Sequence, residues 1–156
     1  FNMTTDNKTE LFKQQVAQIK KITSTTKHAG VVKGFIQKLN YPPVIFDTQD
    51  VKRSDSDETL TIFALQYIGI DYNDATIKLH NNKDAPSGTY PITYPIPAPP
   101  GGGPYATVNF GVGQDELFYD AHGGTLVIQK HASGKINGNV TFTGPRDYTG
   151  NLTFDV

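Results

Sequence analysis

From residue 30 onward, apolar side chains recur at every second position in short runs, and Gly, Pro, Asn or Asp closes each run. A period of two means β-strands, whose successive side chains point to opposite faces. The segments are 30–37, 44–46, 59–67, 75–80, 88–93, 105–110, 124–130, 135–142 and 151–156. Composition points the same way. Thr, Val, Ile, Phe and Tyr number 18, 10, 12, 9 and 8, against eight Leu and one Met. Branching at Cβ and aromatic rings suit a pleated surface and cost rotamer freedom in a helix. Beyond residue 30 there is no second helical stripe to serve as a crossover, so the strands are expected to connect antiparallel. The expected fold is all-β, an antiparallel β-sandwich or open barrel of about 8–9 strands with one N-terminal amphipathic helix.

Particular segments carry finer expectations. Residues 59–67 are apolar on both faces, which places that strand mid-sheet with Phe63 and Leu65 buried. Leu126 and Ile128, or their neighbour Val127, should also be buried. Pro91 has no N–H for a ladder, so its strand belongs at an edge or a bulge. His131-Ala132-Ser133-Gly134 reads as a hairpin turn. Residues 47–58 read as a polar loop, and 95–104, rich in Pro and Gly, as another.

Residues 1–27 differ from the rest and read as an N-terminal helix and linker, with 28–156 forming a single β domain. Asn7 and Glu10 have the spacing of a capping box. Phe12, Val16, Ile19 and Ile22 follow at helical spacing, and Lys8, Lys13, Gln14, Gln18, Lys20 and Lys21 fill the opposite face. The run Thr23-Ser24-Thr25-Thr26 ends the pattern. The plain reading is that the stripe packs on the domain's own sheet. A tether or partner-binding helix is the sharper one, and a disordered spacer the third.

Several functions are excluded or disfavoured. Fourteen Lys+Arg against fifteen Asp+Glu leave a net charge of −1, with no basic excess for nucleic acid. There is no cysteine, hence no disulfide, thiolate metal site or cysteine nucleophile. No apolar run is long enough for a transmembrane helix. No serine sits in a G-x-S-x-G elbow. The four histidines, His28, His80, His122 and His131, are too far apart in sequence for a local metal clip. Asp120 and His122 share one side of an extended segment and could form an acid/base pair or half a metal site, although a solvated loop pair is the plainer reading. Four N-x-[ST] sequons begin at Asn2, Asn7, Asn139 and Asn151; a glycan on the last two would fit only an exposed strand face.

Two loops are the candidate sites. Asp47, Asp50, Asp55, Asp57 and Glu58 offer hard oxygen ligands, and Asp55, Asp57 and Glu58 are the candidate calcium ligands, against a plain solvated loop. No other cofactor is expected. Tyr90, Tyr94 and Tyr105 bracket the second loop, which carries Gly101, Gly102 and Gly103. Aromatics beside such a loop suit stacking on a sugar ring or an apolar ligand. No Lys or Arg lies between Lys83 and Lys130, which points to a neutral ligand. The plainer alternative is a surface loop beside ordinary core tyrosines.

The turn Gly88-Thr89-Tyr90 and the pattern Gly124-Thr125-Leu126-Val127-Ile128, followed by Gly134-Lys135-Ile136-Asn137-Gly138-Asn139-Val140-Thr141-Phe142-Thr143-Gly144, carry a resemblance. On these residues the chain resembles small, uncharacterised β-rich exported and lipoprotein domains of Gram-negative bacterial envelopes. The resemblance implies a secreted or cell-envelope location. With no cysteine present, a lipid anchor would lie upstream of residue 1, and the opening Phe1 fits a trimmed chain. Such families bring no agreed activity, so no catalytic residue carries over. The expected function is an exported, non-enzymatic β-domain that binds a partner protein or neutral glycan through its loops. The alternative is a small-ligand carrier or hydrolase with a site inside an open barrel.

Overall fold

The computed structural model describes residues 30–94, 101–113 and 117–156. The sequence-read helix of residues 8–22, and the stretch 95–100 of the proline–glycine loop, lie outside the described residues. Eleven strands follow in chain order: β1 (Val31–Lys38), β2 (Val44–Thr48), β3 (Val51–Asp55), β4 (Thr59–Ile68), β5 (Asp71–His80), β6 (Gly88–Pro91), β7 (Tyr105–Val112), β8 (Leu117–Asp120), β9 (Gly123–Lys130), β10 (Ile136–Thr143) and β11 (Tyr148–Asp155). One sheet has six strands in the order β2-β1-β11-β10-β9-β6, and the other has five in the order β3-β4-β5-β7-β8. All strand pairs within the two sheets are antiparallel. The all-β, sandwich-like fold is therefore present. The barrel alternative is not, because neither sheet closes on itself.

Two strands exceed the expected 8–9. Residues 47–58 are not one loop. Val51–Asp55 form β3, paired to β4 with Val51 opposite Ala64 and Asp55 opposite Leu60. Leu117–Asp120 form the short β8 against β7. Three other local readings hold. β4 is an interior strand, and β6, which contains Pro91, is an edge strand. Leu126 and Ile128 are buried while Val127 is turned outward.

The core between the sheets takes alternate residues from each strand. Leu60, Ile62 and Ala64 of β4, Ile77 and Leu79 of β5, and Val108 and Phe110 of β7 meet Val32, Ile36, Leu126, Val140, Leu152 and Phe154 of the larger sheet. Phe110, Tyr119, Phe142 and Tyr148 form an aromatic cluster with ring centroids 5.1–5.5 Å apart in the pairs they make. Gly150 lies beneath the Phe142 ring, where an added Cβ would come within 2.1 Å of Cζ. Any larger residue there would push the ring out of the core.

Candidate functional surfaces

One end of the sandwich gathers the β3–β4 turn, the turn after β5, the Gly101–Gly103 segment and the β9–β10 turn. Polar side chains tie it together. Arg53, 5% exposed, grips the Asp55 carboxylate through Nε and Nη2, with contacts of 2.7–3.2 Å. Its Nη1 donates to the backbone oxygens of Gly134 at 2.7 Å and Val156 at 3.2 Å. Lys130 Nζ donates to Asn82 Oδ1 at 2.6 Å, Ala85 O at 2.7 Å and Asn82 O at 3.3 Å. Burial holds the Lys130 pKa below its ordinary value, Asp55 pulls it back up, and Arg53 lowers it again. Asn81 stands in the left-handed region at φ 59° and donates from Nδ2 to the carbonyls of Gly102 and Gly103, each at 3.2 Å.

The candidate calcium ligands sit at this end. The Asp55 carboxylate is engaged by Arg53. The backbone carbonyls of Asp57 and Glu58 accept the N–H groups of Lys83 and Asn81, while both side chains face solvent. Among the described residues no three acidic or imidazole groups converge as a metal cluster.

The three tyrosines of the candidate ligand loop have different neighbours. Tyr105 stacks on His80, centroids 4.5 Å apart, and His80 Nε2 is 2.8 Å from Thr107 Oγ1. Burial, then the Lys78 charge, lowers the His80 pKa. Tyr90 donates its hydroxyl to the Pro86 carbonyl and packs against the main core. Tyr94 is half exposed, with its ring edge-on to His122 at 5.3 Å. Gly101, Gly102 and Gly103 are exposed, and Asn81 joins the last two to the His80–Tyr105 side. No contact joins one of the three tyrosines to another among the aromatic pairs of the described residues. Asp120 accepts a bond from Asn109 Nδ2 at 3.1 Å, and His122 lies beside Tyr94 rather than Asp120.

The opposite end carries most of the exposed apolar side chains. Eight large hydrophobic side chains are exposed among the described residues. Six of them, Leu39, Tyr41, Ile45, Tyr67, Ile68 and Ile70, belong to the β1–β2 and β4–β5 hairpins. The two hairpins are neighbours: Thr48 Oγ1 donates to Leu65 O at 2.7 Å, and the Asp47 N–H donates to Gln66 Oε1 at 3.0 Å. Ile68 pairs with Asp71, which makes Gly69 and Ile70 the turn. Gly69 takes φ 64°, a value suited to glycine, and Ile70 is left 97% exposed. Tight turns favour Asn, Asp, Ser or Gly, and nothing in the turn geometry asks for isoleucine. The sequence reading did not single out this site. Its signal was Ile68-Gly69-Ile70, apolar residues on both sides of a turn glycine.

The outer face of the six-stranded sheet is a third surface. The cross-strand register lines up Asp47, Lys33, Thr153, Asn139, Val127 and Thr89 in one row, and Ile45, Phe35, Asn151, Thr141, Thr125 and Pro91 in the next. Its middle strands are neutral and rich in hydroxyl and amide groups. Asn139 Nδ2 donates to Asn151 Oδ1 at 2.7 Å, which joins the two strand-borne sequons. An open depression at one end of this face is lined by Val31, Lys33, Asn137, Thr153 and Asp155, among others. Among the described residues no helix is long and apolar enough to cross a membrane. Comparison with family models, with curated proteins and with solved structures found no match for this chain.

Proposed function

We propose that this chain is an exported, non-enzymatic binding domain that meets an apolar patch on a partner protein through the loops at one end of its sandwich. The observation that carries the reading is the gathering of exposed Leu39, Tyr41, Ile45, Ile68 and Ile70 on two neighbouring hairpins. Contiguous apolar exposure marks interaction surfaces while single exposed hydrophobics are ordinary, so the concentration of five such side chains on two neighbouring hairpins favours binding. Tyrosine adds wide contact area at low rotamer cost. The resemblance to β-rich envelope domains supports the exported location. The test places a photo-crosslinking residue at position 70 and irradiates the protein with an envelope fraction from its source. A discrete adduct, lost when Ile68 is changed to Ser, is the expected result. No adduct, or one indifferent to Ile68, overturns the reading.

A neutral glycan is the second ligand class, favoured by the hydroxyl- and amide-rich middle strands of the six-stranded sheet's outer face. Amides and hydroxyls there can exchange hydrogen bonds with sugar hydroxyls, and the half-buried Phe35 offers a ring for stacking. Thermal shift against neutral oligosaccharides tests it, since a ligand that binds the native state raises its apparent stability. A shift abolished by Asn151→Ala supports this face. A shift that survives it but is lost in Tyr94→Ala or Tyr105→Ala moves the glycan to the Gly101–Gly103 loop.

A further inference from the structure

Four residues other than glycine take positive φ among the described residues: Asn40 at 68°, Asn81 at 59°, Arg146 at 56° and Asp147 at 62°. Asn and Asp tolerate the left-handed region because their short polar side chains can bond locally. Arg146 has no such compensation. It stands at φ 56°, ψ 35° in the turn between β10 and β11, where two successive left-handed residues call for a pair such as Asn-Gly. Its side chain is exposed. Among the described residues the guanidinium makes no hydrogen bond or ion pair, not even with neighbouring Asp147. A cation wanted only for solubility could sit where the backbone is relaxed. Strain of this sort persists where one side chain is needed at one place.

That place is the end of the sandwich that carries the exposed apolar hairpins. Lys38, the last residue of β1, lies opposite Tyr148, the first of β11, so the β10–β11 turn sits beside the β1–β2 turn. The Leu39 N–H donates to the Asp147 carbonyl at 3.1 Å. Arg146 therefore directly precedes the residue that holds Leu39, and both Leu39 and Tyr41 are exposed. Lys38 is already engaged, its Nζ 5.0 Å from the centroid of the Tyr41 ring and 5.9 Å from that of Tyr148.

We propose that Arg146 is the charged anchor of this apolar end, and that the partner it fits is a protein whose apolar patch is bordered by a carboxylate. This rests on the reading of the hairpins as a partner-binding surface. A guanidinium meets a carboxylate through two parallel N–H···O bonds, which fix orientation as well as adding energy. Arginine is also the charged side chain enriched in interfaces, where Lys, Glu and Asp are depleted. Apolar side chains alone accept any apolar surface of suitable shape. A guanidinium at their border favours surfaces with an acid beside the apolar patch and disfavours those with a cation there. The bond from Leu39 to Asp147 sets where that charge stands relative to the apolar side chains. The strained backbone at Arg146 is thus the cost of holding a cation at that border.

The test reads two quantities on the whole chain: Tm, and the yield of the photo-adduct formed from position 70 with the envelope fraction. Arg146→Asn suits the left-handed turn and removes the cation. It should raise Tm by about 1–4 °C and yet cut the adduct yield at least threefold. Arg146→Glu should cut the yield at least tenfold. Arg146→Lys keeps the charge without the two-bonded geometry, and its yield should fall between those of wild type and Arg146→Asn. An Arg146→Asn protein less stable than wild type means that Arg146 serves the fold, and overturns the proposal. So does a wild-type adduct that Arg146→Glu leaves at full yield, a result that keeps the partner-binding reading of the hairpins intact. No wild-type adduct, or one made with lipid instead of protein, overturns that reading and the proposal with it.

Discussion

At one end of the sandwich Arg53, Asn81 and Lys130 spend their donors on the backbone of distant loops, while at the other Ile68 and Ile70 project from a hairpin that the strand ladder alone can form. The polar end looks more like a site to a reader of sequence, because it holds acids, a histidine and three consecutive glycines. Its groups are nonetheless committed to one another. An Arg guanidinium with acceptors on five contacts, or a Lys ammonium with three, has little left to offer a ligand. The other end carries six large exposed apolar residues, of which Tyr67 meets Tyr72 edge-on and Tyr41 lies beneath Lys38. Aliphatic side chains that the fold leaves exposed, such as Ile68 and Ile70, can serve binding, and chemical reactivity of residue type is a poor guide to which those are.

Arg53→Ala should be the most damaging change at either end. It strips partners from Asp55, Gly134 and Val156 together and should cost about 3–4 kcal/mol in urea unfolding. A loss below about 1 kcal/mol would show that the polar end is not held as described. The next effect concerns Asp74, between the two ends. Burial raises its pKa from 3.8 to about 8, and the nearby Gly111 backbone offsets this only in part. The unfolded chain releases that proton near 3.8 and the folded one near 8, so wild-type stability falls as pH rises between those values and levels off above. Asp74→Asn removes this slope and raises stability at pH 7 by roughly 2–3 kcal/mol. Unfolding curves at pH 5 and pH 8 check both statements, and a variant with the wild-type slope refutes the assignment to Asp74.

Smaller effects sharpen the contrast between the ends. Asn81→Ala loses two bonds to Gly102 and Gly103 and a side chain suited to the left-handed region, and should cost about 1 kcal/mol. Amide exchange near Gly103 should rise with it. Ile70→Ser should shift stability by no more than about 0.5 kcal/mol, since the side chain is 97% exposed. It should instead reduce binding of an apolar dye. If Ile70→Ser destabilises as much as Asn81→Ala, the hairpin serves the fold and the distinction between the ends fails.

What the sequence made legible was local. Alternation located most strands, and Pro91 marked the edge strand, because a missing N–H needs no knowledge of the rest of the fold. β3 was hidden because Val51-Lys52-Arg53-Ser54-Asp55 has one apolar residue, and the strand depends on Arg53 finding Gly134 and Val156, 81 and 103 positions away. β8 was hidden by its length of four residues. The apolar character of both faces of 59–67 was read as an interior position, which is correct, but it carried more. Phe63 and Leu65 are apolar because their outward face is covered too. Tyr90, Tyr94 and Tyr105 are near in sequence and have separate neighbours in space, since β6 and β7 belong to different sheets. The uncharged rows across β9, β10 and β11 emerge only when the cross-strand register is known.

The position of β1 between β2 and β11 also constrains the order of assembly. β11 is the last of the described strands, and Val31 waits for Asp155 as its partner. During synthesis β1 can meet β2 at once, yet its other edge stays open until nearly the whole domain has emerged. Loop closure over such a separation is slow, and an unpaired edge held that long is open to pairing with other chains. Refolding on the millisecond-to-second scale is expected, with a yield that falls as protein concentration rises. A permuted chain that links β11 directly to β1 would shorten that wait and should refold faster at unchanged native topology.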